Sequence, residues 1–527
     1  GNYKPTATAI AKVAPTVPPQ PAFSPASTPL DLARRFLCWN HIGAVTILHG
    51  DDRNTVDITF TDSAYKRPIS FTDNMNFILG SLGDDGAIFA TDLQMDDDDD
   101  ADMDDGLEGL NMSEATRRAV RKSQNKNGVG KATGSAVFFY RFSTIGSIRE
   151  KDWYLTLPAG ERVWSASSGQ GWAAVATSRR FLRFFSSGGN QGQVVWVKGD
   201  PVTMAGRGRF MAVVYHDAAP LHDGTQQLAY KLWDASSFEV LSEGPLSCLS
   251  KGASLTWLGF SNDSALMAMD SEGVLSMLVQ SGSSKWEWAP VLDTIGLRKS
   301  MDDQFWPITV YDGKMVCVPL KGGNSYPDAA RKPVTSTLGL RMPLAPTQGA
   351  KTTQLEEINV RSNLALAQKR FVNEFEKGTE AELEDEYIKM SGQVDKVTLK
   401  LFSALVDANK IERAADLVGR LHTELAHDLA MQIAGRHDKL ADIIEESKYA
   451  KFVVRSSQDH DGALEADEYS DPGEPRYGSP KAMTAADRME SPSRHVSPEF
   501  ATEAKPKRLS SKGAFFQSTK SKKQRVA

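Results

Sequence analysis

Residue types that bind nucleotides or metals occur in this sequence without the spacing that such sites require. The segment 128–134, GVGKATG, has Asn125 where a phosphate-binding loop needs its first glycine, and Ala132 where the loop needs the Ser or Thr that binds magnesium. His422 and His427 are five residues apart, a spacing that puts them on different faces of a helix, and we interpret them as histidines of the helix surface. These segments predict neither a nucleotide site nor a metal site.

The other residues that could serve in catalysis or metal binding also lack the neighbours that such sites require. Cys38, Cys248 and Cys317 are far apart in the sequence, which excludes a CxxC metal or redox motif and a disulfide framework. The acidic run Asp96–Asp105 lacks the ordered Gly and Glu positions of a calcium loop, so we interpret it as a solvated run of charge. No nucleophile elbow is present. We therefore expect a binding protein without a cofactor and not an enzyme, although a propeller enzyme whose groups converge from distant positions stays a third hypothesis.

The residues between 30 and 346 predict an all-β domain. Short runs of β-branched and aromatic residues, such as AVTILHG, GWAAVATS and RFMAVVYHD, alternate with Gly, Asp, Asn and Ser. We expect the charged stretch 94–134 to be a disordered insertion, because dense like charges resist burial. At roughly 40–50 residues per four-stranded blade, the length of the rest of the region gives about six blades of a β-propeller, with seven as the alternative.

After Pro346 the spacing of apolar residues changes from the alternation of β-strands to a helical repeat. Within 352–452, apolar residues recur at i, i+3, i+4 and i+7, which predicts a separate antiparallel bundle of four or five amphipathic helices. Thr423, followed by Glu424, is the expected start of one helix, and Gly435 lies near its end. The fold class is thus mainly β with an α domain.

Both ends of the chain have the composition of disordered segments. Residues 1–29 are rich in Pro and Ala and are interpreted as a linker, and 453–527 as a disordered basic tail. No apolar run approaches the 18 or so residues that span a membrane, so no membrane partner is expected. The first residue is Gly and not Met, and we expect a longer parent chain. Basic residues of the tail are candidates for nuclear import or for weak, sequence-independent DNA contact: Lys505, Lys507, Arg508, Lys520, Lys522, Lys523 and Arg525.

Five segments carry a family resemblance: Arg34–Val45, Val56–Asp62, Gly169–Gly189, Val202–His216 and Leu255–Leu278. They resemble the SepB-type propeller of the chromosome transmission fidelity replisome hub, called acidic nucleoplasmic DNA-binding protein in animals. The resemblance implies a six-bladed propeller, a homotrimer, a nuclear location, and a helical domain that docks short helical peptides. The implied clients are the catalytic subunit of DNA polymerase alpha, a GINS component of the replicative CMG helicase and other chromosome-maintenance factors. The family's WD40 propeller and HMG box are not in this sequence, which weakens the case for direct DNA binding.

The apolar faces of two predicted helices are the candidate peptide groove, because a partner helix lays its apolar stripe between two helices. The candidate groove residues are Leu401, Ala404, Leu405, Ala408, Ala426, Ala430, Ile433 and Ala434. The alternative is that these positions form the core of the bundle. For the whole protein, the alternative to a trimeric replisome scaffold is a chromatin module that contacts DNA through the tail and the Arg117–Lys122 cluster.

Overall fold

The computed structural model describes eleven stretches of the chain: 17–50, 53–62, 66–92, 134–142, 144–145, 148–149, 151–281, 285–346, 350–375, 380–435 and 437–453. The predicted acidic and basic insertion falls outside these residues except for Gly134, and the tail falls outside them from residue 454 onward. None of the described helices is long and apolar enough to cross a membrane.

Six antiparallel sheets form the predicted six-bladed propeller. The strands of blades one to three are β1 Arg34–Trp39, β2 Gly43–Leu48, β3 Asn54–Phe60, β4 Ile69–Asp73; β5 Phe77–Leu82, β6 Gly86–Thr91, β7 Ala136–Arg141, β10 Trp153–Thr156; β11 Val163–Ser168, β12 Trp172–Thr177, β13 Phe181–Ser186 and β14 Gln191–Trp196. Those of blades four to six are β15 Pro201–Arg207, β16 Phe210–His216, β17 Leu228–Asp234, β18 Glu239–Pro245; β19 Leu255–Phe260, β20 Leu266–Asp270, β21 Val274–Ser281, β22 Lys285–Asp293; β23 Gln304–Tyr311, β24 Lys314–Leu320 and β25 Ser336–Gly339. A two-stranded hairpin, β8 Thr144–Ile145 and β9 Ile148–Arg149, extends from blade two. The propeller is thus confirmed, with a sixth blade of three described strands.

Position within a blade explains the composition of each strand. The second strands β6 and β12 are buried at every position, which accounts for their continuous apolar sequences GAIFAT and WAAVAT. The last strand β14 is exposed at five of its six positions and reads QGQVVW. Turn chemistry sets the register of the β23–β24 hairpin, where Asp312 and Gly313 both adopt positive φ, as a type I′ turn requires.

Residues 17–29 lie against the propeller, which corrects their interpretation as a linker. The side-chain amide of Gln20 donates to the carbonyl of Leu255 at 2.6 Å and its oxygen accepts from the backbone N–H of Leu255 at 2.9 Å. The backbone N–H of Phe23 donates to the carbonyl of Val202 at 2.8 Å, and Ala26 belongs to a buried cluster of blades five and six. The buried residues of this segment are Ser24, Ala26 and Thr28, and the prolines between and around them restrict the backbone.

Five helices follow the propeller within the described stretches, which agrees with the predicted number. They are α1 Ala350–Asn373, α2 Glu380–Asp407, α3 Ile411–Val418, α4 Glu424–Ala434 and α5 Asp438–Lys448, after which Tyr449–Val453 makes a short π-helical turn. A 3₁₀ turn, Ile295–Leu297, precedes blade six. The helices pack on the propeller, because Phe371 and Val372 of α1 share a buried cluster with residues of blades four and five.

Candidate peptide-docking site

The helical region is held together by one apolar core, and most of the predicted groove residues belong to it. Five of the eight are buried in the cluster that joins α2 to α5: Leu401, Leu405, Ala426, Ala430 and Ala434. Ile433 is half-buried and packs against that cluster, Ala404 is half-buried, and Ala408 is exposed. The five buried side chains are therefore core residues in this structure, because an amphipathic helix first buries its own stripe against its neighbours.

A second apolar stripe on α4 faces solvent. Leu425 is 69% exposed and Leu429 is 39% exposed, and their i, i+4 spacing puts them on one side of the helix. Ile433, four residues further on, continues this stripe at half-burial. We call Leu425, Leu429 and Ile433 the α4 stripe. Its two leucines were not among the residues predicted from the sequence, although their spacing beside Ala426 and Ala430 gives α4 more apolar positions than one packed face uses.

The start of α4 is fixed by a buried carboxylate. Asp395 of α2 accepts hydrogen bonds from the backbone N–H and Nδ1 of His422, at 2.8 and 2.9 Å, and from the backbone N–H and hydroxyl of Thr423, at 2.8 and 2.7 Å. Burial disfavours the charged carboxylate, but these hydrogen bonds outweigh burial and lower the pKa of Asp395 below its usual value. Thr423 is the predicted N-cap and accepts from the N–H of Ala426 at 3.3 Å. The α4 stripe therefore lies on a helix whose N-terminus is held in place by hydrogen bonds.

The two histidines of this region have structural partners. His427 is fully buried, which corrects its placement on the helix surface: its Nδ1 lies 2.9 Å from the carbonyl of Thr423 and its Nε2 lies 3.3 Å from the hydroxyl of Ser447. His422, just before α4, is half-buried and contacts Asp395. Both side chains connect α4 to neighbouring helices.

An aromatic contact attaches α1 to the propeller. The ring of Phe371 lies 4.9 Å from Trp286 and 5.9 Å from Phe210, in edge and tilted arrangements, while Phe375 lies 5.5 Å from Phe210. Arg209 of blade four donates from Nη1 to the carbonyl of Phe375 at 2.7 Å. The helical region is therefore carried on blades four and five.

The acidic partner of Arg209 is Asp234. The guanidinium donates through Nε at 3.0 Å and through Nη2 to the two oxygens of this carboxylate. Burial opposes ionisation of Asp234, yet the hydrogen bonds from Arg209, Ser236 and Ser237 lower its pKa to about 2. Asp234 therefore keeps Arg209 oriented toward the end of α1 at all ordinary pH values.

The described stretches were compared with the requirements of a metal site and of a reactive thiol. They contain no cluster of three or more His, Cys, Asp or Glu with the geometry of a metal site. Burial raises the pKa of the thiols of Cys38, Cys248 and Cys317 to about 12, so these thiols are protonated and poor nucleophiles. The predicted basic residues of the tail, from Lys505 to Arg525, lie outside the described residues.

The fold and the α4 stripe define a class of protein, a six-bladed propeller that carries a helical region with an exposed apolar face. The family model described as Minichromosome loss protein, Mcl1, middle region, matches residues 21–344, more than half of the sequence. The chain belongs to this Mcl1 family, which confirms the resemblance. A second model, DNA polymerase alpha-binding protein Ctf4, C-terminal domain, matches residues 353–453.

Three relatives illustrate the similarity. The human WD repeat and HMG-box DNA-binding protein 1 is 27% identical over 433 residues, covering 80% of this chain and 34% of its own. Minichromosome loss protein 1 of Schizosaccharomyces pombe is 27% identical over 424 residues, covering 78% and 46%. The DNA polymerase alpha-binding protein of Saccharomyces cerevisiae is 23% identical over 507 residues, covering 81% and 48%. This chain therefore spans from about a third to about half of the length of these relatives.

Proposed function

We propose that this protein is a homotrimeric replisome scaffold that docks short helical peptides on its helical region and so links DNA polymerase alpha–primase to the replicative helicase. The observation that carries the proposal is the match of 353–453 to the C-terminal domain of a DNA polymerase alpha-binding protein. Clients would be the catalytic subunit of DNA polymerase alpha, a GINS component of the CMG helicase and other factors with similar motifs.

The α4 stripe supports the docking step. A short amphipathic partner helix presents apolar residues at i, i+3 and i+4, and the i, i+4 pair Leu425 and Leu429 offers a complementary exposed surface. The anchoring of α4 by Asp395 and Thr423 fixes this surface before binding, which limits the entropy lost on docking. Of the residues predicted from sequence, Ile433 belongs to this surface, Ala404 of α2 is half-buried and Ala408 is exposed, and the other five belong to the buried core.

Multivalency explains how weak docking would hold a replisome together. A single short helix on a shallow surface binds on the order of micromolar, because ordering the peptide consumes much of the contact energy. Three surfaces on one trimer raise the effective concentration of each further client without new contacts. The scaffold would then retain helicase and polymerase while single clients exchange, and no bond would be made or broken.

The oligomeric state is the first test. Light scattering on the full chain at micromolar concentration is expected to give three times the mass of the polypeptide. The same value should persist in the Leu425→Glu/Leu429→Glu double variant, because the α4 stripe is reserved for clients. A monomeric mass would remove the basis of the multivalent mechanism.

The docking surface is tested with fluorescent peptides that tile the catalytic subunit of DNA polymerase alpha. The Leu425→Glu/Leu429→Glu variant is expected to weaken binding at least about tenfold, equivalent to about 1.4 kcal/mol, because two charges replace the apolar contact. Circular dichroism should be unchanged, since both positions are exposed. Leu221→Glu, at an exposed leucine of the propeller, is the matched control and should bind normally.

Two further variants distinguish the surface from the core beneath it. Leu405→Glu and Ala430→Glu place a carboxylate among fully packed side chains, so they are expected to unfold the helical region and to abolish binding for that reason. If either of them stays folded and loses binding while the α4 double variant binds normally, the groove lies on the α2 and α4 faces predicted from the sequence and our assignment to the α4 stripe is wrong.

The basic tail supports a nuclear location, and it also carries the alternative function. The human relative is named a DNA-binding protein, and the last 32 residues of this chain hold eight basic residues against two acidic ones. Contact of this tail with DNA would be independent of sequence and sensitive to salt. Deleting residues 496–527 separates the two functions, because a scaffold keeps peptide binding whereas a DNA module loses most of its affinity for DNA.

A further inference from the structure

An exposed apolar surface lies on the outer half of blade three. Trp196, the last residue of β14, is 73% exposed, and Val194 is 48% exposed. Phe181, the first residue of β13, is directly opposite Trp196 in the strand register, and their rings contact edge to face with centroids 4.6 Å apart. We call Phe181, Val194 and Trp196 the β14 patch. An exposed tryptophan beside other apolar side chains is typical of an interaction surface.

The register shows which face of the sheet carries the β14 patch. Residues directly opposite in an antiparallel pair, and residues two apart in one strand, lie on the same face. Arg183 is opposite Val194 on one side and opposite Val175 on the other. Val175 belongs to the buried cluster that joins blades two and three. The β14 patch therefore lies on the face of blade three that is turned toward blade two.

Blade two covers this face only in part. Its last strand, β10, has four residues, and Trp153 of this strand packs against Phe185 of β13 with ring centroids 5.5 Å apart. The β14 patch lies at the opposite end of β13 and keeps its exposure. β14 is also the last strand of its sheet, and an exposed edge strand is a template for association unless something covers it.

The sequence between β6 and β7 leaves and rejoins the propeller at this side of blade three. Asp92, which follows β6, forms an ion pair of 2.7 Å with Arg162, which precedes β11. At the other end, the backbone N–H of Ser135 donates to the carbonyl of Glu161 at 2.9 Å. The stretch 93–133, which lies outside the described residues, is thus tethered at both ends to the connection between blades two and three.

A short series of contacts leads from that tether to the β14 patch. The buried carboxylate of Glu161 accepts from Nε and Nη2 of Arg183 at 2.8 and 2.7 Å. The guanidinium of Arg183 lies 5.4 Å from the centre of the Phe181 ring. Because an extended residue spans about 3.3–3.6 Å, a segment that begins four residues after Asp92 can reach the patch.

Residues 96–112 have the composition that suits this patch. They read DDDDDADMDDGLEGLNM, so that apolar side chains follow and interrupt a run of carboxylates: Met103, Leu107, Leu110 and Met112. Arg179, exposed on the turn before Phe181, donates to the carbonyl of Ala159 at 2.7 Å and forms no ion pair with the described residues. A peptide with both apolar and acidic side chains would satisfy the patch and this guanidinium together.

Nucleic acid suits the same surface less well. A phosphate backbone is bound by several cations that neutralise successive phosphates. Arg162 and Arg183 are instead already paired with Asp92 and Glu161, at 2.7 Å in each case. The arrangement therefore favours a peptide that needs one guanidinium beside an apolar surface.

We propose that residues 96–112 dock on the β14 patch of their own chain. Their methionine and leucine side chains cover Trp196 and Val194, and one of their carboxylates pairs with Arg179. This contact gives the acidic run a partner in place of solvent and shields the edge of blade three from association with other chains. It is independent of the α4 stripe and of the proposed scaffold function.

Hydroxyl-radical footprinting of the full chain, read by mass spectrometry, tests whether the patch is covered. The natural chain is compared with a variant in which a glycine–serine linker of equal length replaces residues 96–112. Trp196 is expected to be oxidised at least threefold faster in the linker variant. Met301, which is 92% exposed and lies between blades five and six, is the control and should be oxidised equally in both. Equal oxidation of Trp196 in the two proteins would overturn the proposal.

A labelled peptide of residues 96–112, added to the linker variant, locates the contact. Saturable binding is expected, at least fivefold tighter than to the natural chain, because the tethered segment of the natural chain competes. Trp196→Ala and Arg179→Gln in the linker variant should each weaken this binding at least fivefold. Tyr311→Ala and Lys314→Gln, both exposed on blade six, are the matched controls and should have no effect. Unchanged affinity in Trp196→Ala with an unchanged melting temperature would refute the proposal.

Other occupants of the β14 patch give different results. If protection of Trp196 in the natural chain is lost on dilution, a second copy of the chain covers the patch and the proposal is wrong. Tighter binding of labelled duplex DNA than of the peptide to the linker variant, lost in Trp196→Ala, would likewise contradict it. The Leu425→Glu/Leu429→Glu variant should protect Trp196 as the natural chain does, so failure of the helical docking surface leaves this result intact.

Discussion

Replacing Phe371 with alanine is expected to release α1 from the propeller and to lower the free energy of unfolding by about 3–5 kcal/mol, the usual cost of removing a buried phenyl ring. Phe371 is 5% exposed and lies between Trp286, Phe210 and Phe375, so its loss opens a cavity that spans both parts of the structure. Hydrogen exchange should show the backbone amides of α1 losing protection before those of the blades.

A second buried phenylalanine provides the control for this experiment. Phe185 of β13 is similarly buried but packs against Trp153 within the propeller. Phe185→Ala should therefore cost a similar amount of stability without a selective loss of protection in α1. If Phe371→Ala leaves the exchange of α1 unchanged relative to the blades, the aromatic contact does not hold the helical region in place.

The end of α1 is fixed to the propeller by both aromatic and polar contacts. Trp286, which contacts Phe371, lies on β22, so the end of α1 is attached to the last strand of blade five. Arg209, bound to Asp234, adds a polar contact to the carbonyl of Phe375 at the same place. A platform that is to present several clients together needs such a fixed connection, because free tumbling of the helices would lower the effective concentration.

The propeller could be predicted because its signals are local. Buried strands such as β12 have continuous apolar sequences, and hairpins such as β23–β24 carry an Asp-Gly turn. The number of blades was predicted from the length of the region alone. The helices were harder to delimit. The first half of α2 reads EAELEDEYIKM, an acidic sequence with few apolar residues, so apolar periodicity did not reveal the 28-residue helix.

The site could be predicted only in part, because helical periodicity does not say which face is covered. Ala430 and Leu429 are adjacent in sequence, yet the first is fully buried and the second is exposed, a difference set by the packing of α2 and α5 around α4. Asp395 lies 27 residues before His422, and no local pattern connects them. The same holds for Gln20 and Leu255, which pair across most of the propeller sequence.

Replacing Asp395 with alanine is expected to lower the free energy of unfolding by about 3 kcal/mol, because four donors from His422 and Thr423 lose a charged acceptor in a buried position. The helix α4 should unfold first, because Thr423 caps its N-terminus. Chemical denaturation followed by circular dichroism measures the cost, and hydrogen exchange locates it. Asp416→Ala, at an exposed aspartate of α3, is the control and should cost less than about 0.5 kcal/mol.

The pH dependence provides an independent check on the same carboxylate. Its pKa is lower in the folded protein than the value of about 3.9 in an unfolded chain, so between these values the unfolded state binds more protons. The stabilisation by ionised Asp395 is therefore fully present above about pH 4 and is lost as the pH falls through the folded pKa. Asp395→Ala should flatten the acid limb of the stability profile, and binding of polymerase-derived peptides should fail with α4. An acid limb of unchanged slope would mean that the pKa of Asp395 is the same in the folded and the unfolded protein.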